Sequence, residues 1–133
     1  MSHIAMIGGV FLYADDPAKL AQWYADAFEL SFQDWGSCKG LHFDYREDAN
    51  EGERSMLIFS IHPAKGPLPP DRGQCVINYR VFDLAKTLDR LTAQGVAITE
   101  REDSEYGRFA WVNDPEGNRV ELWEAPSANP TGA

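Results

Sequence analysis

Basic residues, cysteines and long apolar runs are all scarce in this sequence, and each scarcity removes a class of function. Against 21 aspartates and glutamates stand only 12 lysines and arginines, which leaves a formal net charge of −9. Nucleic-acid phosphates and anionic bilayer surfaces both call for a basic excess, so neither nucleic acid nor a membrane is an expected partner. A neutral or cationic small molecule remains compatible with the charge, which is otherwise a statement about solubility. The two cysteines, Cys38 and Cys75, form no C-x-x-C pair and read as free thiols of a reducing compartment. No apolar run reaches the roughly 18 residues that suggest a membrane span. The opening MSHIAMIGG lacks the charged head and long apolar middle of an export signal. A cytoplasmic location is the expectation. The loops G-x-S-x-G, G-x-G-x-x-G and G-x-x-x-x-G-K-[ST] are missing too, which leaves nucleophile elbows and nucleotide cofactors without support.

What is present is a chain of 133 residues, 44% of them apolar, enough for one domain with a real core. IAMIGGVFLYA (4–14) reads as a strand. Asp15-Asp16-Pro17 then starts a helix, with an aspartate cap and proline in the first turn. Leu20, Trp23, Tyr24, Ala27 and Phe28 recur at helical spacing and share one apolar face. Short strands are expected at Leu30 to Trp35, Leu41 to Tyr45 and Met56 to Ile61, the last two joined by the polar loop REDANEGERS. IHPAKGPLPPDRGQ (61–74), with four prolines and two glycines, reads as a linker.

The pattern then restarts. CVINYRV (75–81) is a strand, and Asp83 caps a helix whose Leu84, Leu88 and Leu91 share a face before Gly95 ends it. VAITE (96–100) is the next expected strand, and Glu102, Asp103 and Glu105 read as a solvated loop. GRFAWV (107–112) and RVELWE (119–124) form a hairpin around NDPEGN, where Asp-Pro and Gly-Asn supply the turn. Asp16-Pro-Ala-Lys recurs as Asp83-Leu-Ala-Lys at the same place in the order of elements. The chain therefore reads as a duplicated βαβββ unit: module one at about 4–61, a proline-rich linker at 62–74, module two at 75–125, and a disordered tail at 126–133.

Three stretches carry a family likeness: GGVFLYADDPAKLAQWYADAFEL, VINYRVFDLAKTLDRLTAQGV and, the most specific, YGRFAWVNDPEGNRVELWE. In them the chain resembles the vicinal oxygen chelate superfamily, which includes glyoxalase I, bleomycin-resistance proteins and extradiol dioxygenases. The likeness is strongest to the small single-domain members. It implies an α+β fold in which two βαβββ modules form a curved, cavity-bearing mixed sheet with helices on the convex side. It also implies a homodimer.

Strand parity and the resemblance together nominate a pocket. In RVELWE, Val120 and Leu122 face the helices while Arg119, Glu121 and Trp123 face the other way. Asn78 and Arg80 on the second module's first strand, and Phe11 and Tyr13 on the first module's, are expected on the same side. So is His42, opposite in parity to Leu41 and Phe43. If Val112 pairs with Arg119, Ala110 stands opposite Glu121 and Trp111 enters the helix layer. The expected ligand-binding residues are thus Phe11, Tyr13, His42, Asn78, Arg80 and Trp123. Glu121 is the candidate catalytic residue. Its readings are an ion pair with arginine, a ligand contact, or a general base made more basic by lost water beside the indole.

In the metal-using relatives, ligands come from the first and last strands of each module. Here those positions fall on Gly9, near Leu57, on Val76 and on Glu121. Only the last can coordinate, so the resemblance implies no cofactor, with a divalent metal as the alternative if His42 assists. His62 and His3 read as solvated. The resulting expectation is a small-molecule-binding protein with a metal-free acidic and aromatic pocket, for which a flat, aromatic, cationic ligand would be suited. The alternative is a metal-dependent lyase or dioxygenase that uses Glu121.

Overall fold

The computed structural model describes residues 2–4, 6–44, 56–70 and 75–126. Its elements follow the order β1 (Gly9–Ala14), α1 (Pro17–Phe28), β2 (Gln33–Asp34), β3 (Lys39–Asp44), β4 (Met56–Pro63), β5 (Ile77–Arg80), α2 (Leu84–Ala93), β6 (Glu100–Ser104), β7 (Gly107–Asn113) and β8 (Arg119–Glu124). The fold is α+β and repeats βαβββ twice. The chain divides into two compact units, Met1–Leu68 and Pro69–Ala133. The mixed sheet is divided as well. One four-stranded sheet has the order β1-β4-β3-β2 and the other β5-β8-β7-β6. In each, the first strand lies parallel to the last, and the remaining pairs are antiparallel.

The two helices start by the same device. Asp16 accepts the Lys19 backbone N–H at 3.1 Å, and Asp83 accepts that of Lys86 at 3.1 Å. An N-cap oxygen that satisfies an orphan donor is worth about 1 kcal/mol. In the second unit the β8 residue Glu124 adds another acceptor, its Oε1 taking the Leu84 N–H at 2.8 Å. Glu29 at φ 56° and Gly95 at φ 83° mark the helix ends. Glycine reaches that left-handed region without the steric cost a side chain brings.

Each helix covers one face of its own sheet. In the first unit, Leu20, Tyr24 and Ala27 of α1 are buried with Phe59, Ile61 and Ala14. The Tyr24 and Phe59 rings meet edge to face at 5.7 Å. In the second, Leu84, Leu88 and Leu91 of α2 are buried with Ala110, Val112, Val120 and Leu122. Each large apolar side chain so enclosed contributes about 1.5–3 kcal/mol. These two sets fix the parity of both sheets, because successive strand residues alternate faces.

Several boundaries differ from the sequence expectation; the strand expected at 4–14 begins only at Gly9, and that expected at 75–81 is Ile77–Arg80. β4 continues to Pro63 instead of ending at Ile61, because it stays paired with β1 through Ala14↔Pro63. The strand expected at Leu30–Trp35 is only Gln33–Asp34. There the Gly36 N–H and the neighbouring Lys39 ammonium hold the Asp34 carboxyl below the usual carboxylate range. The strand expected at 96–100 lies instead at Glu100–Ser104, over the charged run read as a loop. β7 supplies its ladder, from Glu100↔Trp111 to Ser104↔Gly107, so pairing overrides the low strand propensity of EREDS. All five of its residues are exposed, as suits an edge strand protected by charge. The polar loop at 46–55, part of the linker at 71–74 and the tail at 127–133 lie outside the described residues.

Candidate functional site

The side of the second sheet away from α2 carries an ordered group built around Glu121. The β8 carboxylate is half-buried, and each of its oxygens has a donor from a different strand. Oε1 accepts the Trp111 indole N–H of β7 at 2.8 Å, and Oε2 accepts the Asn78 amide of β5 at 2.6 Å. The ladders place these groups directly abreast, with Asn78↔Glu121 on one side and Trp111↔Glu121 on the other.

That geometry corrects the expected place of Trp111. The register pairs Val112 with Val120 and Ala110 with Leu122, one residue away from the assumed Val112–Arg119 pair. A shift of one residue exchanges the two faces of a strand. The DPEGN turn sets the register. Asp114 Oδ1 accepts the backbone N–H groups of Glu116 and Asn118, and the Asp114 N–H donates to the Asn118 carbonyl. With Asp114 and Asn118 closed on each other, Asn113 must meet Arg119. Asp114 is 5% exposed, and these bonds give the chemically rich loop a structural role.

The corrected register adds two rings that sequence parity missed. Phe109 lies 6.1 Å from Trp111 and 6.4 Å from Trp123, with planes 16° apart in both cases. Phe109, Trp111 and Trp123 therefore form one near-parallel aromatic row. A guanidinium lies over each tryptophan: Arg119 at 5.3 Å from the Trp111 centroid and Arg80 at 5.4 Å from that of Trp123. Such cation–π contacts contribute about 0.5–1 kcal/mol at exposed sites. Arg119 also donates to Glu100 at 2.9 Å across the sheet. The Trp123 indole N–H donates to the Tyr106 carbonyl at 2.8 Å. Gly107 makes that close approach feasible: its φ is 124°, and a Cβ there would overlap the Glu124 carbonyl oxygen. The Tyr106 side chain is exposed.

The sequence-nominated residues fall into two groups, one on each unit. Asn78, Arg80, Glu121 and Trp123 belong to the face just described. Phe11, Tyr13 and His42 lie on the first sheet, on the side away from α1. Phe11 pairs with Ser60 and Tyr13 with His62 along β1–β4, and His42 pairs with Ile58 along β3–β4. His62, expected to be solvated at the head of a linker, is instead a half-buried strand residue. Its Nε2 lies 2.8 Å from Ser60 Oγ, and its ring is 5.5 Å from both Phe11 and Tyr13. The extra turn of pairing at the end of β4 brings it there. His42 is exposed, with its Nε2 3.8 Å from the Asp44 carboxylate.

The donor set does not fit the metal centre of the metal-using relatives. Phe11 and Asn78 stand at equivalent distances before the caps Asp16 and Asp83, so their partners Ser60 and Glu121 are equivalent positions. Ser60 thus replaces the neighbourhood of Leu57 as the last-strand position of the first module. Leu57 points the other way, paired with Phe43, whose ring meets Phe59. Gly9 and Val76 have no side-chain lone pair to donate, and Glu121 already accepts two N–H groups. Among the described residues, no three of His, Cys, Asp and Glu come together as a metal-binding group. A groove of about 290 Å³ does exist on the second unit, lined by Leu84, Leu88, Arg101, Asp103 and Arg108 among others. Leu84 and Leu88 of α2 supply apolar lining, and Phe109 of the aromatic row also borders it.

Comparisons with known proteins agree with this architecture. The family model described as Glyoxalase/Bleomycin resistance protein/Dioxygenase superfamily matches residues 1–122. No curated protein sequence matches the chain. Among solved structures, TnmS3, an antibiotic binding protein from Streptomyces sp. CB03234, is 21% identical with a TM-score of 0.65, over 94% of this chain and 99% of that one. Lactoylglutathione lyase from Agrobacterium tumefaciens is 22% identical with a TM-score of 0.60, over 92% and 96% of the respective chains. The oxidase ChaP-H1 is 16% identical with a TM-score of 0.69, over 94% and 99%. At these identities the likeness establishes the fold and no activity.

Proposed function

The chain belongs to the Glyoxalase/Bleomycin resistance protein/Dioxygenase superfamily, and from that premise we propose that it binds a planar small molecule on the aromatic face around Glu121, without a metal. The observation that carries this reading is the row Phe109–Trp111–Trp123, in which Glu121 holds the Trp111 indole and the Tyr106 carbonyl that of Trp123. Phe109 and Trp123 are half-buried while Trp111 is buried at 9% exposure, so the accessible part of the row belongs to the first two. Aromatic side chains on rigid strands bring contact area with little conformational entropy to lose. The indoles are fixed by their N–H bonds to Glu121 and to the Tyr106 carbonyl. Pre-organisation of that kind lowers the cost of binding. A binding role occurs within this fold's repertoire, in the antibiotic-binding relative, beside a lyase and an oxidase.

In this reading Glu121 is the anchor of the platform. The metal-dependent alternative would require Glu121 to exchange its N–H donors for a cation and to find partner ligands where Gly9 and Val76 stand. The test is calorimetric titration with planar aromatic compounds. Trp123→Ala is expected to weaken binding about three- to tenfold, the value of one ring–ring contact. Tyr24→Phe, in the core of the first unit, serves as the control. Equal affinity in the wild type and Trp123→Ala would remove the platform from the account.

A further inference from the structure

The charged groups on the same face point to the class of ligand, an inference that rests on the reading above. Acidity and the pairing of Glu121 with Trp123 in sequence favour a cation, but the geometry is set against one. Both tryptophans already carry a guanidinium, and both Glu121 oxygens already accept an N–H. The cations differ in what remains to them. Arg119 is neutralised by Glu100 at 2.9 Å. Arg80 is exposed and, among the described residues, makes no ion pair and no hydrogen bond; its contact is the face of Trp123. Asn78, its neighbour on the same side of β5, takes up the adjacent carboxylate of Glu121. A guanidinium laid on a ring keeps its N–H donors for another group, and their fork matches a carboxylate in bidentate fashion.

We infer that the preferred ligand is a planar aromatic acid, its ring against the aromatic row and its carboxylate on Arg80. Trp123 is an ordered support for Arg80, because its own N–H is tied to the Tyr106 carbonyl. The side chain of Arg80 therefore meets the ligand from a defined position, and less is lost on binding than from a freely moving surface arginine.

The experiment compares naphthoate, naphthamide and naphthylmethylamine by calorimetry on the wild type, Arg80→Met and Arg80→Lys. One aromatic frame then carries a negative, a neutral and a positive substituent. Naphthoate is expected to bind about tenfold more tightly than naphthamide, as one charge-assisted hydrogen-bonded pair allows, with the amine weakest. In Arg80→Met, naphthoate and naphthamide should bind with equal affinity. Arg80→Lys should restore only part of the difference, because an ammonium keeps the charge without the fork. Equal affinities for naphthoate and naphthamide in the wild type would overturn the inference while leaving the aromatic platform intact. A naphthoate preference that survives Arg80→Met would overturn it as well. Binding of none of the three would overturn the platform together with it.

Discussion

Glu121 illustrates how much a single strand residue takes from its neighbours. Its oxygens accept one N–H from β5 and one from β7, so it joins three strands through side chains in addition to the backbone ladders. Trp111 is 9% exposed, and its indole N–H has Glu121 as acceptor. Glu121→Leu is expected to cost about 1–3 kcal/mol in urea unfolding, the penalty for leaving a buried donor unsatisfied. Glu121→Gln keeps an acceptor for Trp111, and Asn78 can turn its amide to present oxygen to the new NH₂. That variant is expected to lose less than about 1 kcal/mol. If both variants unfold at the wild-type urea midpoint, Glu121 does not hold the platform together. Its partners were only half legible in the sequence. Asn78 followed from parity, whereas Trp111 was assigned to the wrong layer. GRFAWV is apolar on both faces, so alternation alone cannot tell which face meets the helix.

Among the elements, the hairpin β7–β8 is where local chemistry sets the geometry of the site. Its far end is closed by Asp114 and its near end by Gly107. The turn fixes the register, and Gly107 lets Tyr106 approach β8 closely enough to hold the Trp123 indole. Gly107→Ala is expected to destabilise the protein by about 1–3 kcal/mol, from an L residue at positive φ and from overlap with the Glu124 carbonyl. Gly66→Ala, where a Cβ meets nothing within 4 Å, is the matched control and should stay within about 0.5 kcal/mol of the wild type. Thermal unfolding of the pair checks this; equal midpoints would mean that the positive φ at Gly107 is not under constraint. The helices were easy to read because their caps are local: an aspartate bonds to a backbone N–H three residues on. β6 was hard for the opposite reason. EREDS has no strand signature of its own, and only the neighbouring β7 makes it one.

For the whole molecule, the repeat is the dominant fact, and among the described residues no three of His, Cys, Asp and Glu come together as a metal-binding group. Protein purified without added metal is expected to carry well under one equivalent of zinc, nickel, manganese or iron by elemental analysis. Chelator treatment should leave both the melting temperature and the affinity for planar ligands unchanged, because a metal that binds only the native state would raise the melting point by mass action. Stoichiometric metal after purification would return the metal-dependent reading to first place. The resemblance to dimeric relatives leads us to expect a homodimer, which sedimentation velocity at micromolar concentration would report directly; a monomer there would remove that expectation. No helix among the described residues is long and apolar enough to cross a membrane.

The amino-acid sequence by itself determined the two capped helices, the β7–β8 hairpin, the duplication and the helix-facing set Val120 and Leu122, because caps, turns and apolar spacing act over a few residues. Tertiary structure alone decided that Phe109, Trp111 and Trp123 form one row, that Glu121 bonds to Trp111, and that His62 sits between Phe11 and Tyr13. For His62 the outcome depends on the register of β1 and β4, strands distant in the chain; for the aromatic row it depends on how the Asp114–Asn118 turn closes the β7–β8 hairpin. A one-residue change in pairing exchanges the faces of a strand, and apolar alternation by itself does not encode the register.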